Sequence, residues 1–336
     1  MGVAVIRPAH AEAPVRLDLA GGWTDVPPFS TREGGAVVSV AIRLFARASV
    51  EPIACGFRLC SEDLGDALEL PTPEPPALDG RLDLLKAALR VVPPGGPVAL
   101  VTRCDAPMGS GLGSSGALDV AMVAALAAAT GTVLSRREIA ERACRLERVE
   151  ACVAGGRQDQ CAAAFGGCNL FRFRDPDLLV EPVALGPGVA AALEQRLVLC
   201  YTGASRFSGA TITRVMNAYE RGDGAVVRAL RRLAELSHEM TGALAAGDLV
   251  TIGRHMAENW QLQQALDAGM CTPEMARLEA AVMAAGALGG KAAGSGAGGC
   301  MFFLAGDDVE SVRSAAVRAG ATLLPARWAH EGVRAW

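Results

Sequence analysis

"DAPMGSGLGSSGALDVAMVAAL" runs from Asp105 to Leu126, and its reading decides the fold. A glycine-rich loop opens straight into an alanine-rich helix. Glycine carries no Cβ, so Gly109, Gly111 and Gly113 let the main chain close around a ligand. The free N–H groups at a helix start point into the same space, and the helix dipole favours negative charge there. Residues 107–115 therefore suit a chain of phosphates. Ser114 and Ser115 can add hydroxyl ligands to phosphate or Mg²⁺. A Walker loop would end in Gly-Lys-Ser/Thr, and no lysine stands here. A dinucleotide fingerprint begun at Gly109 would need glycine at 114, which is serine.

Composition narrows the classes around this loop. The 336 residues are 51% hydrophobic and 20% charged, enough for a sizeable core and for two domains. A net charge of −4 offers no basic surface to nucleic acid. The N-terminus lacks the apolar core of a signal peptide. The longest apolar runs are Ala-rich and interrupted, which reads as buried helix rather than membrane span. These features predict a cytoplasmic protein with no membrane or nucleic-acid partner, and they leave a homodimer open. Ten cysteines form no C-x-x-C pair and read as reduced thiols. The four histidines lack metal-ligand spacing, which argues against zinc.

Strands are expected at 13–22, across 34–53 as one or two, and at 97–107, 168–173, 196–203, 299–306 and 321–328. Helices are expected at 81–92, 135–155, most of 208–247, 249–267, 273–290 (ending in glycines) and 307–319. Ser135 followed by Glu138 spells a capping box. The pattern is α+β, with a boundary near "RDPDLLVEPVALGPG" that divides the chain into 1–180 and 181–336.

Two further stretches echo the opening loop. "APVRLDLAGGWTDVPPF" (13–29), "PMGSGLGSSGAL" (107–118) and "KAAGSGAGGCMFFL" (291–304) together resemble the three signatures of the GHMP small-molecule kinases, in order and spacing. The resemblance spans the whole chain. "GGRQDQCAAAFGGCNLF" (155–171) is most similar to the bacterial heptose-phosphate kinases, whereas "GGWTD" with Trp23 leans toward the fucokinase domain. The fold implied is an N-terminal α+β domain carrying the phosphate loop and a C-terminal ferredoxin-like domain. The cofactors implied are ATP and Mg²⁺. The partner is a small sugar or sugar phosphate, phosphorylated on its anomeric hydroxyl.

The resemblance also assigns roles. Asp159 matches the catalytic aspartate that takes or orients the proton of the attacking hydroxyl. Arg16 matches the basic residue of the first motif and would hold Asp159 ionised or neutralise charge developing on the transferred phosphoryl group. Asp25, with Thr24, would accept hydrogen bonds from vicinal sugar hydroxyls. Trp23 either walls the sugar pocket or packs in the core, and Gly34 and Gly35 shape a turn beside it. Arg157 and Arg206 are weaker substrate candidates, and Arg43 and Arg47 join Arg206 as candidates for a distant substrate phosphate. Pro107, Gly109, Ser110, Gly111, Leu112, Gly113, Ser114 and Ser115 would hold ATP, with Gly294 and Gly296 packed against them. Glu147 matches the Mg²⁺-ligating glutamate, partnered by Ser115. On an ideal helix Glu150 shares its face, so periodicity does not separate the two.

Overall fold

A computed structural model describes residues 6–336 apart from 73, 75 and 204–208. The expected candidate Arg206 lies outside the described residues.

The first sheet draws on β1 (Ala9–Ala20), β2 (Gly35–Pro52), β3 (Phe57–Ser61), β4 (Asp66–Leu70), β5 (Val98–Cys104), β6 (Cys168–Arg174) and β7 (Asp177–Pro182). Its spine is β2, one 18-residue strand where one or two were expected. The first half of β2 pairs with β6 and the second half with β5. Only the β3–β5 pair is parallel among these strands. Successive residues of β2 from 35 to 42 are buried, so both faces are covered there, and alternation returns only toward the solvent end. The Ser114–Ala129 helix and the Gly224–Ala246 helix both lie against β1 and β2. The former is buried on nearly every side, which accounts for its almost continuous apolar sequence.

The second sheet contains β8 (Leu197–Tyr201), β9 (Ala287–Ala292), β10 (Cys300–Ala305) and β11 (Thr322–Leu324) in the order β11-β8-β10-β9. Its neighbours are all antiparallel. With helices between β8 and β9 and between β10 and β11, this is the split β-α-β of a ferredoxin-like fold. A last strand, β12 (Arg334–Ala335), leaves this unit and pairs with β1. The first sheet thus extends past residue 180 and also recruits the C-terminus.

One expectation fails. The helix expected across 273–290 ends at Ala284, and 287–292 is strand β9. Gly289 and Gly290 are strand residues rather than a helix stop. A Cβ on Gly289 would sit 1.8 Å from the Gly253 carbonyl oxygen, so this glycine lets the Leu249–Leu266 helix press onto the sheet, while a Cβ on Gly290 would strike the Phe303 ring. The short strands β3, β4 and β7 were also missed, β4 and β7 having no buried residue to mark a core face. The capping box at Ser135 forms as expected, but its helix stops at Arg145 and continues as a π turn, Leu146–Glu150.

Candidate active site

The loop and its helix meet β1 at one point. Gly109, Gly111 and Gly113 all take left-handed φ values, 65°, 77° and 77°. Gly113 is the N-cap of the Ser114–Ala129 helix, and no side chain caps its amides. Within the loop, Ser110 donates its N–H to the Pro107 carbonyl, and the Leu112 carbonyl accepts from the Arg16 N–H. The buried Ser114 hydroxyl finds no hydrogen-bond partner. Uncapped amides with an orphan hydroxyl at a helix mouth fit an anionic ligand such as a phosphate chain.

Arg16 is buried, and each of its three guanidinium nitrogens donates a hydrogen bond. Its Nε and Nη2 donate to Asp159 Oδ1 at 2.9 and 2.6 Å, and its Nη1 donates to the Gly111 carbonyl at 2.6 Å. Burial opposes its charge, yet Asp159, Asp18 and Asp25 outweigh that and leave its pKa raised. Asp159 sits in the first turn of the Gln158–Phe165 helix with 30% of its side chain exposed. A Cβ on Gly116 would fall 2.6 Å from Asp159 Cβ, and one on Gly113 would fall 3.1 Å from its carboxyl carbon. The carboxylate therefore stands directly against the glycine loop, partly open to solvent, held from behind by a cation.

Glu147 and Glu150 part company. Glu147 is partly buried, accepting from the Ser115 hydroxyl at 2.7 Å and from the Gln160 amide at 2.6 Å. Burial raises its pKa, and the Ser115 bond pulls it back. Glu150 instead pairs with Arg145 at 3.1 Å. The π turn over 146–150 breaks the regular 3.6-residue spacing that would have stacked them. One carboxylate and one hydroxyl beside the phosphate loop are hard oxygen donors, which suits Mg²⁺ with phosphates and water completing its shell.

The remaining candidates divide. Asp25 is buried, with Oδ2 accepting from the Arg157 and Gln158 N–H groups at 2.8 and 2.9 Å. Oδ1 accepts from the Gln158 side chain at 3.2 Å. Asp25 is thus tied to the start of the helix that carries Asp159. Thr24 hydrogen-bonds the Gly21 and Ala36 carbonyls, and a Cβ on Gly35 would lie 2.0 Å from the Thr24 carbonyl oxygen. Trp23, at φ 82°, packs in an apolar cluster with Phe29, Tyr219 and Leu230. The Arg157 guanidinium turns away, engaged by Asp175 at 3.0 Å and by the carbonyls of Pro176 and Asp177. Arg47 is likewise occupied, by Glu12 and Asp105. Arg43 is exposed.

Burial pushes Asp25 up to about 6, against bonds from Gln158 and Arg157 that pull it down. Its ordinary value is 3.8. Between these values the fold binds a proton that the unfolded chain has released, so its contribution to stability falls as pH rises through that window. In thermal melts from pH 4 to 7, the wild type should lose stability relative to Asp25→Asn as pH rises. Parallel curves for the two proteins would refute this.

Three residues near the loop escaped the sequence reading. Gln160 links to Glu147 as described. Asp119 is fully buried on the loop's helix with neither oxygen hydrogen-bonded, and burial followed by the Glu147 charge drives its pKa far above the carboxylate range. Its signal was in plain sight: one acid in an otherwise apolar run. Asp18, two residues along β1 from Arg16, is the third, and its partner is Lys291.

Comparison with known proteins places the chain in a family. Residues 82–167 match the GHMP kinases N terminal domain and residues 240–322 the GHMP kinases C terminal domain. The chain is 31% identical over 301 residues to D-glycero-alpha-D-manno-heptose 7-phosphate kinase of Campylobacter jejuni, covering 88% of each. It is 30% identical over 321 residues to the bifunctional fucokinase/GDP-fucose pyrophosphorylase of Arabidopsis thaliana, where it spans 30% of that longer protein. Among solved structures, a D-glycero-D-manno-heptose 1-phosphate kinase from Bacteroides thetaiotaomicron superposes with a TM-score of 0.80 at 25% identity, over 98% of each chain. Among the described residues no helix is long and apolar enough to cross a membrane. The loop, the cation-backed carboxylate and the two matched domains identify the chain as a member of the GHMP kinase family, whose enzymes transfer a phosphoryl group from ATP to a hydroxyl acceptor.

Proposed function

We propose that this protein is a cytoplasmic, Mg²⁺- and ATP-dependent sugar kinase that phosphorylates the anomeric hydroxyl of D-glycero-D-manno-heptose 7-phosphate. The observation that carries the reading is the Arg16–Asp159 pair set against residues 107–115. The loop amides bind the phosphates and hold the reacting group in line. Asp159, whose Oδ2 takes no bond from Arg16, takes or orients the proton of the sugar hydroxyl. Arg16 fixes that carboxylate and offsets the charge that builds as the hydroxyl attacks. Glu147 and Ser115 would hold Mg²⁺, which supplies charge neutralisation on the phosphates. Phosphoryl transfer asks the protein mainly for such positioning and electrostatic support.

A second reading, a fucokinase-type enzyme acting on an unphosphorylated sugar, is favoured by the "GGWTD" turn and by the fucokinase relative. ADP release over a panel of monosaccharides and sugar phosphates separates the two, with phosphorus NMR locating the new phosphate. Turnover confined to the heptose 7-phosphate supports the first reading, and turnover of free fucose the second. No turnover, with ATP still raising the melting temperature, would make the protein a sugar- or ATP-binding regulator.

The metal assignment has its own test. Glu147→Gln should raise the Mg²⁺ concentration for half-maximal rate by about tenfold, as loss of an anionic ligand implies. Glu150→Gln should leave it unchanged. Equal behaviour of the two variants would overturn the assignment.

A further inference from the structure

The chain writes its positive charge almost entirely as arginine, with lysine only at positions 86 and 291. Lys291 is completely buried, 273 residues away in sequence from the equally buried Asp18. Its Nζ donates to Asp18 Oδ2 at 2.6 Å and to the Asp18 carbonyl at 2.8 Å, and it lies 5.3 Å from the Phe302 ring centroid. A compact ammonium on a slender stem fits this hole, and a planar guanidinium would not.

The other Asp18 oxygen has a different task. Oδ1 accepts the Gly294 N–H at 3.0 Å, while the Gly294 carbonyl accepts from the Gln263 side chain at 2.8 Å. Gly294 is therefore gripped at both ends. It also touches the phosphate loop: a Cβ there would fall 2.6 Å from the Gly111 carbonyl oxygen and 3.4 Å from Arg16 Nη2. A Cβ on Gly111 would fall 2.3 Å from the Ala293 carbonyl oxygen, and the Cys300 N–H donates to the Ser110 carbonyl at 2.7 Å. The two glycine loops thus meet backbone to backbone. Arg16 and Asp18 project from the same face of β1, with a bulge immediately after Asp18. Arg16 holds the Gly111 carbonyl from one side, and Asp18 holds Gly294 from the other.

We propose that Asp18 and Lys291 are positioning residues for nucleotide binding: their buried pair pins the 293–299 loop onto the phosphate loop and so fixes the amides that grip ATP. The proposal rests on reading residues 107–115 as the ATP loop. Removing one partner strands a buried charge, whereas removing both relieves that cost. Stability and nucleotide affinity can therefore be separated.

The test compares wild type with Lys291→Met, Asp18→Asn and the double variant D18N/K291M. The measurements are melting temperature, ATP affinity by calorimetry, and KM for ATP and for the sugar. The single variants should melt lower, and the double should recover most of the loss. In every variant that folds, ATP affinity should fall about tenfold, within the usual range for coupling between sites. KM for the sugar should stay within about twofold. Gly294→Ala, which leaves the ion pair intact but clashes with Gly111, should reproduce the ATP defect. Wild-type ATP affinity in the folded double variant would overturn the proposal and leave the pair a purely structural one. If the wild type itself bound no ATP, the reading of the loop would fall instead.

Discussion

Asp159→Asn should cut kcat by about 10³-fold or more while leaving ATP affinity within a few-fold of wild type. General-base catalysis of this kind contributes roughly 10²–10⁴ in rate, and loss of the charge that Arg16 balances adds to the deficit. The amide is isosteric, so it can still accept one bond from Arg16, and the loop amides are untouched. Asp159 accepts its Arg16 bonds through a single oxygen, Oδ1, and the side chain is partly open to solvent. Steady-state kinetics and ATP titration on the same preparation check both halves. Turnover near the wild-type rate would remove Asp159 as the base. Loss of ATP affinity in parallel with kcat would show that the carboxylate shapes the loop rather than acting on the acceptor.

Arg16→Met should be more damaging to the protein as a whole. The substitution deletes three hydrogen bonds at once and strands the Gly111 carbonyl, in the crowded contact between the glycine loops, and the Asp159 carboxylate. Orphaning such groups costs about 1–3 kcal/mol each, toward the low end for Asp159 because solvent reaches it. A total of about 2–4 kcal/mol corresponds to a fall in melting temperature of roughly 3–6 °C for a chain of this size. Both kcat and ATP affinity should drop, which distinguishes this variant from Asp159→Asn. A melting temperature within a degree or two of wild type, with ATP affinity retained, would contradict the role given to Arg16. Lys in place of Arg should rescue poorly, since one ammonium cannot reproduce the fork that spans Asp159 and Gly111.

The order of these elements explains how far the primary structure could be read. The glycine loop and its helix start were legible because their backbone chemistry is local. Glycines that adopt left-handed φ, a helix start without a side-chain cap, and two serines at the mouth are all specified within ten residues. The Ser135 capping box was legible for the same reason. β9 was not, because "ALGG" carries the signature of a helix stop when read alone. Only the approach of the Leu249–Leu266 helix shows why those glycines belong in a strand.

The amino-acid sequence alone determined the α+β class, the glycine loop at the helix start and the set of polar residues from which a kinase site could be assembled, because backbone propensity and motif spacing act over short stretches of chain. The tertiary structure decided which members of that set meet. It joined Arg16 to Asp159 across 143 positions and turned Glu147 rather than Glu150 onto Ser115 through a π turn. It also sent the Arg157 guanidinium to Asp175 and closed Lys291 on Asp18. Such pairings follow from how strands and helices from distant parts of the chain stack and exclude water, and no local pattern encodes that.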